Sequence, residues 1–372
     1  MHIKSLKLLQ FKNYREASLE LSTRINCFTG NNGTGKTNLL DAIYYLSFCK
    51  SFSNPADSQN ILLGEDFFVI QGQYQINAQS DEVYCGVKKG QKKVFKRNKK
   101  EYDRLADHIG LYPLVLIHPG DVELVTGGSE ERRKFIDGVI SQYNKEYLQR
   151  LLDYNRALQQ RNILLKSFAE KRYFDEASLE IWDAQLIAHG EYIFEQRRAF
   201  FDEFKPVFQQ NHQLLTQSAD PIHIAYESQL QETPFADLLM DAREKDRWAQ
   251  HTTAGVHKDN LVFLLGEQPL KKFGSQGQQK SYVIALKLAQ FQFTRQIKGF
   301  SPILLFDDIF DKLDPARVEL LIALVSQEGF GQVFISDTHT QRLENILQKV
   351  SLHSRMFEVE KGEVKTVKDF NL

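Results

Sequence analysis

Residues 30–37 read Gly-Asn-Asn-Gly-Thr-Gly-Lys-Thr, and no other stretch restricts this chain so tightly. A run of backbone N–H groups can close around a phosphate only where side chains are absent, which explains Gly30, Gly33 and Gly35. The segment before it, Arg24–Phe28, is apolar enough for a strand, and Asn38–Phe48 after it has helical character. A helix starting there points its positive end at the anion. The octet therefore predicts a strand–loop–helix unit that binds ATP through Gly30, Asn31, Asn32, Gly33, Thr34, Gly35, Lys36 and Thr37. Lys36 reaches the β- and γ-phosphates, and the Thr37 hydroxyl ligates Mg²⁺. The bland alternative is a glycine-rich turn that arose by chance.

Bulk properties exclude little. With 372 residues the chain is long enough for about two domains. Its 47 basic and 48 acidic residues leave a net charge of -1, so any nucleic-acid surface must be local. The three cysteines fit neither a zinc site nor a disulfide framework, which points to a reduced, cytoplasmic protein. The first residues are too short and too charged for a signal peptide, and no apolar run of about 18 residues predicts a membrane span.

Three segments follow from the patterning. Residues 1–125 read as mixed β and α. Two strands carry Leu6 and Leu8, then Leu19 and Leu21, with a turn near Asn13; further strands fall at Phe67–Ile76, Glu82–Val87 and Pro113–Ile117. Residues 126–250 read as a helical insertion. Phe135, Ile136, Val139, Ile140, Tyr143 and Tyr147 share one helical face, Ser129 is the expected N-cap, and a second helix covers about Glu176–Gln213. Residues 251–372 return to mixed β and α, with fully apolar strands at Pro302–Phe306 and Gln332–Ser336 of the kind found in covered parallel sheets. The fold class expected is α/β: an ATPase head with a mixed sheet and flanking helices, carrying a largely helical inserted lobe.

Two more motifs bear on chemistry. The strand Ile303–Phe306 ends in Asp307 and Asp308, roughly 270 residues after the octet. In phosphate-loop enzymes such a pair divides the work: Asp307 holds Mg²⁺, and Asp308 orients or deprotonates the attacking water. Lys36 and Asp308 are the catalytic candidates. Ser275-Gln276-Gly277-Gln278 opens a helix about 30 residues before that strand. Its N–H groups and the Ser275 hydroxyl make a second anion site, so Ser275, Gly277 and Gln278 join the ATP candidates. In ABC-type ATPases the phosphate met by this segment belongs to the opposite subunit, which makes Ser275 a dimer-interface candidate too. Phe310–Asp314 resembles the D-loop, with Asp314 at the dimer interface. Val333–His339 has the layout of the switch loop, and His339 is either a γ-phosphate sensor or a surface histidine.

The order of these motifs resembles the ABC-type heads of the SMC and RecF class. Leu8–Tyr14 is similar to the RecF family's Phe-Arg-Asn-Tyr opening, with lysine for arginine, and this adds Lys12 and Asn13 to the ATP-site candidates. Arg132–Asp137, Arg161–Lys166, Trp182–Leu186, Gly255–Asp259 and Gly274–Gln279 also resemble that family. Departures are Val256 for proline, Asn260 for aspartate and Gly120 for glutamate. The resemblance implies a DNA-binding protein of recombinational repair that dimerises on ATP. It implies double-stranded, gapped and single-stranded DNA as ligands, with recombination mediators and a recombinase as partners. Asp308, shorter than the glutamate usual there, implies a slow ATPase acting as a switch.

The densest basic stretch, residues 88–100, predicts a β-hairpin. Lys88, Lys89, Lys92, Lys93, Lys96, Arg97, Lys99 and Lys100 are the DNA candidates, with Arg132, Arg133 and Lys134 weaker ones; the competing reading is a solvated hairpin whose lysines block edge pairing. A transporter ATPase subunit shares the Ser275 motif but not the helical insertion. A chromosome-organising head carries hundreds of coiled-coil residues, absent here. An ATP-binding interaction module without hydrolysis is disfavoured by Asp308.

Overall fold

The computed structural model describes residues 1–216, 221–310, 315–327, 329–349 and 352–370. In chain order the elements are β1 (His2–Phe11), β2 (Tyr14–Glu20), β3 (Ile25–Thr29), α1 (Lys36–Phe48), β4 (Phe67–Ile76), β5 (Gln79–Lys88), β6 (Val94–Arg97), β7 (Lys100–Glu101) and β8 (Leu114–Ile117). Next come α2 (Glu123–Thr126), α3 (Ser129–Ser141), α4 (Lys145–Lys171), α5 (Glu176–Thr216), β9 (Ile222–Glu227), α6 (Phe235–Ala249), β10 (Asn260–Leu265), β11 (Gln268–Pro269), α7 (Leu270–Phe273) and α8 (Gln276–Lys298). The chain closes with β12 (Ile303–Asp307), α9 (Pro315–Val325), β13 (Val333–Asp337), α10 (Thr340–Lys349), β14 (Ser354–Glu360) and β15 (Glu363–Phe370). They form two compact units, residues 1–121 with 284–372, and residues 122–283.

The first unit holds two six-stranded sheets, β2-β1-β4-β5-β6-β7 and β15-β14-β3-β13-β12-β8. The first is antiparallel throughout; in the second, β14, β3, β13, β12 and β8 run parallel. Every residue of β3, β8, β12 and β13 is buried, as uninterrupted apolar strands require when both faces are covered. Leu39, Leu40, Ala42, Ile43, Tyr45 and Leu46 of α1 share one core with Leu6 and Ile70 of the antiparallel sheet and with Phe28, Leu305 and Phe334 of the parallel one. A helix apolar on nearly all sides fits only such a sandwiched position. Because the strands around β3 are parallel, the residues following β3, β12 and β13 emerge on one sheet edge, where open α/β sheets place their ligands.

The second unit is built on α3, α4, α5 and α6 with a small sheet, β11-β10-β9. Two buried arginines tie it together. Arg161 of α4 bonds Asp183 of α5 at 2.6 Å, Asp246 of α6 at 2.5 Å and Thr252 at 3.0 Å. Arg197 of α5 bonds Asp137 of α3 at 2.8 Å and Asp259 at 2.6 Å, and Asp259 also accepts from Tyr226 of β9 at 2.6 Å. Burial raises the Asp259 carboxyl, against the Arg197 guanidinium that lowers it.

Three sequence expectations need correction here. The face drawn through Phe135 to Tyr147 is broken, because α3 ends at Ser141 and Asn144 caps a new helix by accepting from the Tyr147 N–H at 2.9 Å. Ser129 does not cap α3: it is the first helical residue, and the Gly128 before it has no side chain to cap with. The second unit runs to Val283 rather than to residue 250, because β10 pairs with β9 and draws the Ser275 segment along with it.

Candidate functional site

The loop after β3 is shaped by its glycines. Gly30, Gly33 and Gly35 have φ of 143°, 77° and 120°, values that L side chains rarely adopt. At Gly30 a Cβ would stand 2.2 Å from the Val359 carbonyl oxygen of β14, so the neighbouring strand also demands glycine. The Thr34 carbonyl accepts from Gly362 N and Asn13 Nδ2, both at 2.9 Å, and Asn38 Nδ2 donates to Asn13 Oδ1 at 2.7 Å. Tyr14 donates to the Gly35 carbonyl at 3.1 Å; burial pushes its phenol up, which keeps it a donor. The loop is thus fixed from outside before any ligand arrives. No side chain caps α1 and its first turn holds no acid; the Gly35 carbonyl takes the Asn38 and Leu39 N–H groups at 3.0 and 3.2 Å, and the positive end of the helix stands at the loop.

Lys36 is 3 % exposed, and its ammonium donates to the Gly30 and Asn31 carbonyls at 2.9 and 3.1 Å. Thr37 donates to Asp307 Oδ1 at 2.8 Å, joining the octet to the acidic strand end 270 residues away. Ser336 at the end of β13, the strand between β3 and β12, donates to the same oxygen at 2.8 Å. Its hydroxyl also accepts the Asp308 N–H at 2.9 Å. Asp308 sits at φ 45°, a left-handed conformation costly for a residue with a side chain, at the turn where the water-orienting group is expected. Sequence reasoning missed Ser336; its signal was a small hydroxyl residue at the end of a buried strand.

Lys12 pairs with buried Asp41 and donates to Ser53 at 2.7 Å. Asn13 braces the loop, as above. In the second unit Ser275 caps α8: its oxygen accepts from Gln278 N at 3.2 Å while Gln278 Oε1 accepts from Ser275 N at 2.9 Å, a reciprocal capping box. Gly277 lies in the first turn. His339 is exposed, with Nδ1 2.9 Å from the Thr338 hydroxyl, and Asp337 before it is gripped by Arg342 at 2.7 Å. Asp121, after β8, takes Lys287 at 2.7 Å and the His118 N–H at 2.8 Å. Asp314 lies outside the described residues.

In the basic stretch the hairpins form at β5–β6 and β6–β7. Lys88, Lys92, Lys99 and Lys100 are exposed, and Lys89 is exposed beside Asp66. Lys93 turns inward to Asp57 at 2.8 Å and the Cys49 carbonyl at 2.6 Å. Arg97 bonds Asp81 at 2.8 Å, and Lys96 lies over the Tyr84 ring. Arg132 bonds Asn260 at 3.0 Å and Arg133 the Asp259 carbonyl at 2.7 Å, while Lys134 pairs with Glu130 and Glu131. The first two are structural contacts of the helical unit.

Residues 2–365 match the family model for the RecF/RecN/SMC N terminal domain. The chain is 51% identical over 366 residues to the DNA replication and repair protein RecF of Phocaeicola vulgatus, covering 98% of each. It is 50% identical over 357 residues to that of Flavobacterium johnsoniae, covering 96% of this chain and 99% of the relative. This chain belongs to the RecF family. Solved structures agree: the recombination mediator protein RecF-ATPrS of the RecFOR pathway superposes with a TM-score of 0.89 at 26% identity, covering 98% of this chain and 97% of that one. RecF-ATP of the same pathway gives a TM-score of 0.87 at 26% identity, covering 99% of this chain and 97% of that one. The α/β ATPase head with a helical lobe expected from the sequence is therefore the RecF fold. Among the described residues no helix is long and apolar enough to cross a membrane.

Proposed function

We propose that this protein is an ATP-dependent DNA-binding protein of cytoplasmic replication and recombinational repair, in which ATP drives two copies together around DNA and slow hydrolysis releases it. The observation that carries the reading is the 2.8 Å bond between Thr37 and Asp307 beneath a braced glycine loop. Loop N–H groups and Lys36 hold the phosphates. The Thr37 hydroxyl and Asp307 carboxylate are hard oxygen donors in contact, a set that suits Mg²⁺. When bound, Mg²⁺ supplies charge neutralisation at the γ-phosphate. Asp308 takes the water's proton or orients it, with Ser336 steadying the turn. Ser275, Gly277 and Gln278 of a second copy close over the γ-phosphate from the α8 N-terminus, and Asp314 meets that copy. Exposed Lys88, Lys89, Lys92, Lys99 and Lys100 follow duplex phosphates. The RecF names support the role in repair, and the RecFOR structures support work alongside other recombination mediators that load a recombinase on gaps.

Fluorescence anisotropy of a labelled gapped duplex at one salt concentration tests this. ATP is expected to tighten binding, and Ser275→Arg to abolish that gain. Binding indifferent to ATP in the parent protein contradicts the switch.

A further inference from the structure

The helical unit contains a cleft of about 570 Å³ where α4 and α6 both end. Trp248 is 88% exposed and Tyr173 65%. Phe174 lies beneath the Arg247 guanidinium, 4.3 Å from ring centre to carbon. Arg172 and Glu244 complete the rim. Nothing in the ATP site uses these residues.

Charge tells what the cleft receives. Arg172 and Arg247 in the lining form no ion pair among the described residues, and Arg247 rests on the Phe174 ring. Glu244 is the one acid in the lining. Both arginines sit at helix C-termini, whose partial negative charge they offset in part. Large rings left in water beside two arginines match a ligand that is flat, apolar on its faces and anionic at its edge. Duplex bases already stack on each other and offer no open face. Unpaired bases do, and aromatic stacking with arginine on the phosphates is the general way proteins hold single strands without reading sequence.

We infer that this cleft binds single-stranded DNA, with bases stacked on Trp248 and Tyr173 and phosphates against Arg172 and Arg247. The inference rests on the DNA-binding reading above and assigns the unpaired side of a gap to the helical unit, leaving the lysine hairpin to the duplex.

The chain has two tryptophans, so Trp182→Phe leaves Trp248 as the sole reporter. Titration of that full-length variant with an oligothymidylate is expected to quench its fluorescence. Trp248→Ala should weaken oligothymidylate binding by about 5-fold or more, the usual effect of losing one stacked base, while Trp248→Phe retains most of it. Arg172→Gln with Arg247→Gln should flatten the salt dependence by about 1.4 in logarithmic slope. ATP hydrolysis and blunt-duplex binding should not change in any of them. An unquenched Trp248 with full oligothymidylate affinity in Trp248→Ala and in the arginine pair overturns the inference while gapped-duplex binding keeps the DNA reading intact. Loss of mediator-protein binding with single-strand binding unaltered overturns it in favour of a protein-docking face. Failure of the parent to bind any DNA fails the wider reading instead.

Discussion

Replacing Arg161 with methionine removes the cation but leaves its two partners buried. The Asp183 and Asp246 side chains are 8% and 0% exposed, and Arg161 itself is 0% exposed. Neither carboxylate gains water in exchange, and Thr252 also loses its donor. Breaking a buried pair in this way costs about 3–5 kcal/mol; Asp183 keeps Arg243 at 3.7 Å and Asp246 keeps the Thr253 N–H at 2.8 Å, so the loss falls short of the upper end. With a urea m-value of roughly 2 kcal/mol per molar, the midpoint should fall by about 2 M. Arg198→Ala is the control. Its pair with Glu195 spans one turn of α5 with side chains 57% and 51% exposed, and such pairs contribute about 0.5 kcal/mol or less. Urea unfolding followed by far-UV circular dichroism reads both. If Arg161→Met costs less than about 1 kcal/mol, the idea that this network pins α4, α5 and α6 is wrong.

Other expectations are as direct. Gly30→Ala should lower ATP affinity at least about 10-fold, because the φ of 143° and the Val359 carbonyl 2.2 Å from the new Cβ together strain the loop by more than ~1.4 kcal/mol; calorimetric titration checks it. His108 is fully buried, bonded to the Leu46 carbonyl at 2.7 Å and to Tyr102 at 3.0 Å, and burial lowers its pKa to about 4. The unfolded chain therefore binds a proton that the folded one refuses. Stability from this group is complete above about pH 6.5 and falls as pH drops towards 4, by roughly 3 kcal/mol; His108→Asn should flatten that part of the stability profile. Asp308→Asn should retain ATP binding and lose at least about 100-fold in hydrolysis, measured by phosphate release.

Motifs whose chemistry is local were legible in the sequence. The glycine octet predicts its own geometry, since φ values of 77–143° leave few residues to choose from. The apolar strands that carry Asp307 and Ser336 were visible because strands covered on both faces lack polar alternation. What escaped depended on pairing across long separations. Ser336 reaches Asp307 only because β13 lies between β3 and β12, an order no local pattern encodes. Lys93 looked like its basic neighbours, yet its position opposite Asp57 and Cys49 turns it inward. The break after Ser141 was missed because Tyr143 and Tyr147 keep the apolar period across it; Asn144 as a cap was the available sign. The exposed rings of Trp248 and Tyr173 carry no periodic signal at all.

The central claim is that each ATP site is completed by a second copy, and mixing two inactive variants tests it most directly. Lys36→Ala spoils the loop and Ser275→Arg spoils the α8 N-terminus, so each alone should hydrolyse almost no ATP. Mixed in equal amounts they form dimers with one intact site, built from the loop of one chain and the Ser275 segment of the other. The account predicts that hydrolysis and ATP-dependent binding to gapped DNA return in the mixture to a substantial fraction of the parent level. A mixture as inactive as its components, with mixed dimers verified by a tag on one variant, contradicts it.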